Sequence, residues 1–290
     1  MGTTELSVVV PVSDGCFRAG EALAAIRESV KRIAAEVVVV DGSRDGSVGT
    51  IGSPFRVIRD TSGANAACLR ARGVAAAAGR IVALVEPWTL PDPDWAQSLI
   101  EEHGKNAADT VVGGPVLYDG PDEAGAWAEF FFEYGSFLPP FAGDVEELAV
   151  NNVSYSAELL RRTRPLWEEG FWKHFLHREL RARGVRFRAA SRAAVRHSRP
   201  VAFSRFLEER FHHGRAYAAR RGGPASRALL APLLPVLLTA RLARRVRDKT
   251  GAKQKLLRAL PALVLAHASW ALGEAVGHLA GDGGSSEGVF

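Results

Sequence analysis

Asp41 closes a run of β-branched residues, Val37 to Val40, and opens the loop Gly42-Ser43-Arg44-Asp45-Gly46-Ser47. A carboxylate at a strand end can accept hydrogen bonds from the base or ribose of a nucleotide. The backbone N–H groups of Gly42, Ser43 and Gly46 can approach a ribose or diphosphate. The same residues also serve as ordinary turn formers. Arg70 lies on a helix just after a glycine turn, where a planar guanidinium fork suits phosphate oxygens; a solvated helix face shared with Arg72 and Arg80 is the alternative. Asp92 and Asp94, in Pro91-Asp92-Pro93-Asp94-Trp95, read as a helix start, with carboxylates near its positive end.

The elements that must position these residues follow from periodicity. Leu6–Val12, Glu36–Val40, Phe55–Arg59, Ile81–Val85 and Thr110–Leu117 are short apolar or β-branched runs, as in strands buried on both faces. Helical spacing covers Ala22–Ala35, Gly63–Ala78 and Asp94–Gly104 between them. Strands alternating with helices imply βαβ units and a mostly parallel sheet with helices on both faces, so the fold class is α/β and Rossmann-like. Ligands of such sheets bind at the carboxyl ends of the strands. Here those ends carry Pro11-Val12-Ser13, Asp41-Gly42-Ser43 and Glu86-Pro87-Trp88. Further helices are expected over Ala124–Tyr134, Phe171–Gly184 and Phe203–Arg221, with a strand from Val185 to Arg188.

Taken in order, these motifs resemble family 2 glycosyltransferases over roughly Leu6 to Arg221. The residues that carry the resemblance are Pro11-Val12, the loop from Val39 to Ser47, Leu69-Arg70-Ala71-Arg72-Gly73 with Ala77 and Gly79, Glu86-Pro87-Trp88, Pro91 to Trp95, and Asn151-Asn152-Val153-Ser154-Tyr155. The resemblance implies a GT-A fold and inverting transfer of a sugar from a UDP- or GDP-linked donor to a lipid-linked or polysaccharide acceptor. It assigns the nucleotide sugar to Pro11, Val12, Asp41, Ser43, Arg70 and Glu86, and the acceptor side to Trp88, Asn152 and Trp172, with Trp167 in the same aromatic group.

The chain departs from the family at two chemical positions. Where two carboxylates normally hold a divalent cation, it has Glu86 and then Trp88, whose indole has no acceptor. Glu86 with His197 is the metal site this implies, for Mg²⁺ or Mn²⁺. Where a carboxylate at the start of the helix after the Asn motif acts as base, the register ending at Gly184 places Lys173. A protonated lysine is no base. Glu169 is the expected substitute, with Glu168 and His174 nearby; loop solvation is the plainer reading of both glutamates. The alternative function is therefore a catalytically silent relative that binds or scaffolds. A nucleotidyltransferase of similar fold lacks its Gly-rich basic N-terminal loop here.

The charge of +5 over 290 residues is uneven. Arg241 to Arg258 holds eight basic residues against Asp248 alone, between the apolar stretches Ala228–Ala240 and Ala259–Leu272. Both stretches are shorter than the ~20 residues a spanning helix needs and are interrupted by Pro232, Pro235 and Pro261. Apolar faces beside basic flanks imply attachment to an anionic membrane surface from the cytoplasmic side. Helices packed on the domain, or on a second copy in a homodimer, are the alternative. The basic run lacks interleaved aromatics, so nucleic acid is not an expected partner. Residues 1–202 are read as the GT-A-like domain, 203–280 as the basic and apolar helical segment and 281–290 as a disordered tail. Cys16 and Cys68 imply no disulfide framework and read as small buried hydrophobes. No leader is visible at the start.

Overall fold

The computed structural model describes residues 4–13, 19–44, 46, 48, 54–197, 199 and 201–288. The chain forms two compact units, Met1–Leu117 with Pro139–His197, and Tyr118–Leu138 with Ser198–Phe290.

In the first unit the apolar runs form strands where periodicity places them: β1 (Leu6–Val12), β2 (Ala35–Asp41), β3 (Phe55–Arg59) and β4 (Ile81–Leu84). All four pair in parallel, in the order β3-β2-β1-β4, with Val12 opposite Asp41. Helices α1 (Ala19–Val30) and α2 (Ala66–Ala76) are the crossovers. Asn65 caps α2, its side chain accepting from the Cys68 N–H at 3.0 Å. The motif glycine Gly73 lets α2 lie close on β1, since a Cβ there would run into the Val9 side chain.

After β5 (Thr89–Pro91) and α3 (Trp95–Lys105), the strand expected over Thr110–Leu117 splits into β6 (Val111–Gly113) and β7 (Val116–Tyr118), which belong to different sheets. The break is at Gly114-Pro115. A Cβ at Gly114 would collide with the Ala193 carbonyl, and Pro115 turns its own carbonyl to the Asn152 side chain. The main sheet then continues through β8 (Gly143–Asp144), β9 (Val153–Ser156) and β10 (Phe187–Ala189), reaching eight strands with β9 antiparallel to both β4 and β6. Helices α5 (Ala157–Arg162) and α6 (Lys173–Ala182) follow β9, and α4 (Ala124–Tyr134) precedes β8 in the chain. A small sheet joins β5, β11 (Val195–His197) and β7. One apolar cluster runs from Val9, Val38 and Leu69 through Leu84 and Tyr155 to Phe171 and Leu180. This is the expected α/β architecture, with a large and mostly parallel central sheet.

The second unit is helical. It contains α4, α7 (Phe203–Arg221), α8 (Leu234–Val246) and α9 (Ala252–Ala280). Helices α7 and α9 approach backbone to backbone: a Cβ at Gly214 would strike the Trp270 carbonyl, and one at Gly273 the Phe211 carbonyl. The Ser269 hydroxyl donates to the Leu207 carbonyl at 2.6 Å across the same contact. The interruption expected at Pro261 does not occur, and α9 runs 29 residues through it. The proline leaves the Leu257 carbonyl without a helical partner, but both residues are exposed and water reaches that side. By length and composition α9 is one helix that could cross a membrane, and 39% of its most apolar window is buried. Cys68, expected to be buried, is only partly so, and Cys16 lies outside the described residues.

Candidate active site

The carboxyl ends of β1, β2 and β4 lie side by side because their strands are parallel and in register. Pro11 and Val12 are buried within the sheet, and the Val12 carbonyl accepts from the Gly42 N–H at 2.8 Å, which fixes the start of the loop. Asp41 is 2% exposed. Its Oδ1 accepts from the Ser43 N–H at 3.0 Å and from the Ser43 hydroxyl at 2.6 Å, the local turn that an Asp-Gly-Ser sequence favours. Its Oδ2 is 2.9 Å from Arg59 Nη1. Arg59, at the end of β3, also donates to the Ser43 hydroxyl at 3.3 Å and is more than a third exposed. Asp45 and Ser47, the rest of the loop motif, lie outside the described residues.

Arg70 and Glu86, expected to contact a ligand separately, contact each other. Arg70 donates from Nε at 2.9 Å and from Nη2 at 2.5 Å to the same oxygen, Glu86 Oε1, and both side chains are buried. This two-nitrogen grip on one oxygen is a strong charge-assisted bond. It also decides the fit of a metal. Mg²⁺ and Mn²⁺ need several oxygen ligands, and Glu86, the carboxylate that ends β4, is already bonded through Oε1 to a guanidinium, which repels a cation. No cluster of three metal-ligating side chains occurs among the described residues. His197, on β11, lies opposite Thr89 and is buried, but it joins no such set. The Glu86 and His197 pair does not fit a divalent cation. Pro91 to Trp95 opens α3 as expected, with Asp94 at its N-cap position but without a side-chain cap hydrogen bond; Asp92 and Asp94 pair instead with Arg196 at 2.9 Å and Arg192 at 3.1 Å.

Because β9 runs antiparallel to β4, its leading residues lie beside Glu86. Asn152 is wholly buried and fully engaged: its Oδ1 accepts from Trp95 Nε1 at 2.9 Å, and its Nδ2 donates to the Pro115 and Ala193 carbonyls. It is a brace between β9, β7 and α3, and presents nothing to an acceptor. Asn151 donates to Thr89 Oγ1 at 3.2 Å, but its buried Oδ1 has no partner among the described residues. A buried acceptor left unmet costs about 1–3 kcal/mol, so this atom is available to a ligand. Trp167 is core, its Nε1 donating to the Leu160 carbonyl at 3.0 Å. Trp88 and Trp172 are half-buried and remain able to stack on a sugar.

A second cluster surrounds the start of α6. Lys173 Nζ lies 3.3 Å from Glu147 Oε1 and donates to the Leu148 carbonyl at 3.1 Å. His177, one turn on, bonds the same Glu147 oxygen through Nδ1, and its Nε2 is 2.6 Å from the Tyr155 hydroxyl. A carboxylate only accepts, so His177 Nδ1 carries the proton and neutral Nε2 accepts from Tyr155. Burial pushes the Glu147 carboxyl up, but the Lys173 charge and the His177 bond outweigh it and hold it well below the usual carboxylate range. Burial lowers the His177 ring below its ordinary value, against the pull of Glu147. Glu169, the expected base, sits exposed in the turn before α6, and Glu168 is spent on Arg164 at 2.8 Å. Sequence reasoning missed Arg59, Glu147, Tyr155 and His177. The available signal was Lys173 itself: a cation on a half-buried helix start calls for a carboxylate somewhere.

Residues 7–194 match the family described as Glycosyl transferase family 2. No curated protein sequence matches the chain. Among solved structures, GalNAc-T7 crystallised with UDP, GalNAc and Mn²⁺ superposes with a TM-score of 0.53 at 13% identity, covering 69% of this chain and 44% of that one. This chain thus spans less than half the length of that protein. Residues 1–349 of TarS from S. aureus superpose with a TM-score of 0.50 at 16% identity, covering 91% of this chain and 71% of that one. Both likenesses establish the GT-A fold. With the match spanning well over half its length, the chain belongs to glycosyl transferase family 2.

Proposed function

We propose that the chain moves a sugar from a UDP- or GDP-linked donor to a lipid-linked or polysaccharide acceptor in one inverting displacement. The observation that carries this reading is the polar corner where β2 and β4 end: Asp41, Ser43 and Arg59 on one strand end, and Arg70 with Glu86 on the other. Asp41 and Ser43 suit the ribose or base, and the partly exposed Arg59 is the guanidinium placed to meet the diphosphate, with Arg70 bonded to Glu86 behind it. In this reading Arg59 faces the charge of the leaving diphosphate without a divalent cation. GalNAc-T7 was crystallised with Mn²⁺, so the comparison is direct. Calorimetry with a panel of nucleotide sugars, each with and without Mn²⁺, tests it: binding of one donor that is indifferent to Mn²⁺ and to chelator is expected. Absence of binding to every donor defeats the reading.

Lys173, at the place of the family's base, favours a second reading, a silent relative that binds donor without turning it over. Donor binding with no release of nucleoside diphosphate under any acceptor supports that reading instead.

The helical unit supports peripheral attachment to the cytoplasmic face of a membrane. Leu229, Leu230, Leu233, Val236 and Leu237 are each more than half exposed, and Arg241, Arg244 and Arg245 follow them on the exposed side of α8. On α9, Leu257, Val264, Leu265, Leu272 and Leu279 make one exposed stripe at about seven-residue spacing, roughly 33 Å long at 1.5 Å per residue. The opposite side of α9 carries Ser269, Gly273 and Gly277 against α7. An in-plane helix has this two-sided character. Co-sedimentation with anionic vesicles, weakening with salt and lost in Leu233→Glu/Leu237→Glu, is expected. Self-association of the intact chain with no vesicle binding points instead to a homodimer face.

A further inference from the structure

We infer that Glu147 is the base that takes the proton from the acceptor hydroxyl, supplied from the loop before β9 because the start of α6 carries Lys173. This rests on the sugar-transfer reading above.

The geometry separates the two oxygens of Glu147. Oε1 receives Lys173, His177 and the Leu148 N–H. Oε2 carries no hydrogen bond among the described residues; the exposed His174 ring lies beyond hydrogen-bond reach, with Nδ1 at 4.0 Å. The side chain is about one-third exposed, while Lys173 and His177 behind it are nearly covered. One oxygen is thus anchored and the other faces outward. The anchor continues inward through His177 to the Tyr155 hydroxyl, which fixes the imidazole tautomer and its plane. Lys173 and His177 are positioning residues, four apart on one helix face. The cluster shares its apolar core with the donor side of the sheet: Leu148 and Tyr155 belong to the same buried cluster as Leu69, next to Arg70, and Leu84, two residues before Glu86.

In the step, the acceptor oxygen forms a bond to the anomeric carbon and its proton moves to Glu147 Oε2. The bond from the anomeric carbon to the diphosphate oxygen breaks, and its electron pair leaves with the nucleoside diphosphate. The carboxylate is neutralised as the diphosphate gains charge. Lys173 keeps Glu147 ionised before the step, and proton transfer late in the displacement, when the acceptor hydroxyl has become acidic, suits a weak base.

The test uses the full chain, the donor selected by calorimetry, and water as the acceptor, reading release of nucleoside diphosphate. Glu147→Gln is expected to bind that donor as the parent does and to release product about 10²–10⁴-fold more slowly. Glu147→Asp keeps the charge but withdraws it, and is expected to fall between; it carries the test if the Gln variant does not fold. Lys173→Met is expected to move the acid limb of the pH–rate profile upward by about 1–3 pH units, since an opposite charge alone lowers a carboxylate by that much. Release at the parental rate by Glu147→Gln, or by Glu147→Asp where only that variant folds, overturns the inference, as does an unmoved acid limb. Parent chain that binds donor and releases nothing also overturns it, leaving donor recognition intact. Parent chain that binds no donor brings down the sugar-transfer reading itself, and the binding arm tells these failures apart.

Discussion

Two carboxylates in this protein are each held by a cation, and they are held differently. Glu86 and Arg70 are both buried and meet through two nitrogens on one oxygen. Glu147 and Lys173 meet through a single ammonium at 3.3 Å, and the glutamate keeps one oxygen toward solvent. The first pair has residues of one contiguous stretch, 16 apart, on neighbouring elements. The second draws on a loop and a helix 26 residues apart, with Tyr155 between them in sequence. In both pairs the cation grips one oxygen, Oε1, and Oε2 has no hydrogen bond among the described residues. What differs is the cation and the depth: a buried guanidinium fork fixes Glu86, while Glu147 is about one-third exposed and can turn to water. That difference is the basis on which the proposed transfer gives Glu86 to the donor side and Glu147 to the proton.

The sharpest way to break the comparison is Arg70→Met. It strands a buried carboxylate and is expected to cost about 3–5 kcal/mol by chemical denaturation, whereas Arg70→Met/Glu86→Met recovers most of that. Equal stability of the single and double variants denies that Arg70 is what keeps the buried Glu86 charge compensated. Asn152→Ala, beside Glu86 but outside both pairs, is expected to cost about 2 kcal/mol for the partners it leaves unmet. A null result there denies that Asn152 braces β9 against the Trp95 indole and the Pro115 and Ala193 carbonyls. Lys173→Met is expected to cost only about 1 kcal/mol, because Glu147 can turn to water. A loss as large as that of Arg70→Met contradicts the more exposed setting of the second pair. The smallest effect is in pH. The buried His177 ring has a folded pKa below its unfolded value, so it stays neutral while the unfolded chain gains a proton. Stability from this group is complete above the ordinary histidine value and is lost as pH falls toward the folded one. Hydrogen exchange of α6 amides, corrected for intrinsic rate, is expected to quicken from pH 7 to pH 5 more than exchange of α2. Equal quickening in both helices removes His177 as the cause.

What could be read from sequence follows the same division. Strands β1 to β4 are continuous apolar runs with polar ends, and buried parallel strands leave little else for such runs to be. Asp41, Ser43, Arg70 and Glu86 could be singled out because strand ends bring short motifs together, but that Arg70 and Glu86 bond each other could not be read. Thr110 to Leu117 was not legible as two strands, because the break is imposed by the Ala193 carbonyl and Asn152 from other parts of the chain. The resemblance put Asn152 and Trp167 on the acceptor side, yet the fold buries both, where an amide and an indole must be satisfied. Glu147 and His177 carried no local mark, since their meaning depends on Lys173 occupying an acidic place. The length of α9 was underestimated because an exposed proline costs a helix less than a buried one.

The division of α9 into a glycine side and a leucine side has a consequence at the bench. The exposed stripe from Leu257 to Leu279 takes no part in the close contact with α7, which is made by Gly214, Gly273 and Gly277. Under the proposed membrane attachment and lipid-linked acceptor, a detergent micelle would cover that stripe and compete with the acceptor there, and apparent rates would track the ratio of the two more than the concentration of either. Repainting Leu257, Leu265, Leu272 and Leu279 with lysine and glutamate leaves the glycine contact untouched. It yields a reagent that can be concentrated without amphiphile, against which every detergent effect can be calibrated.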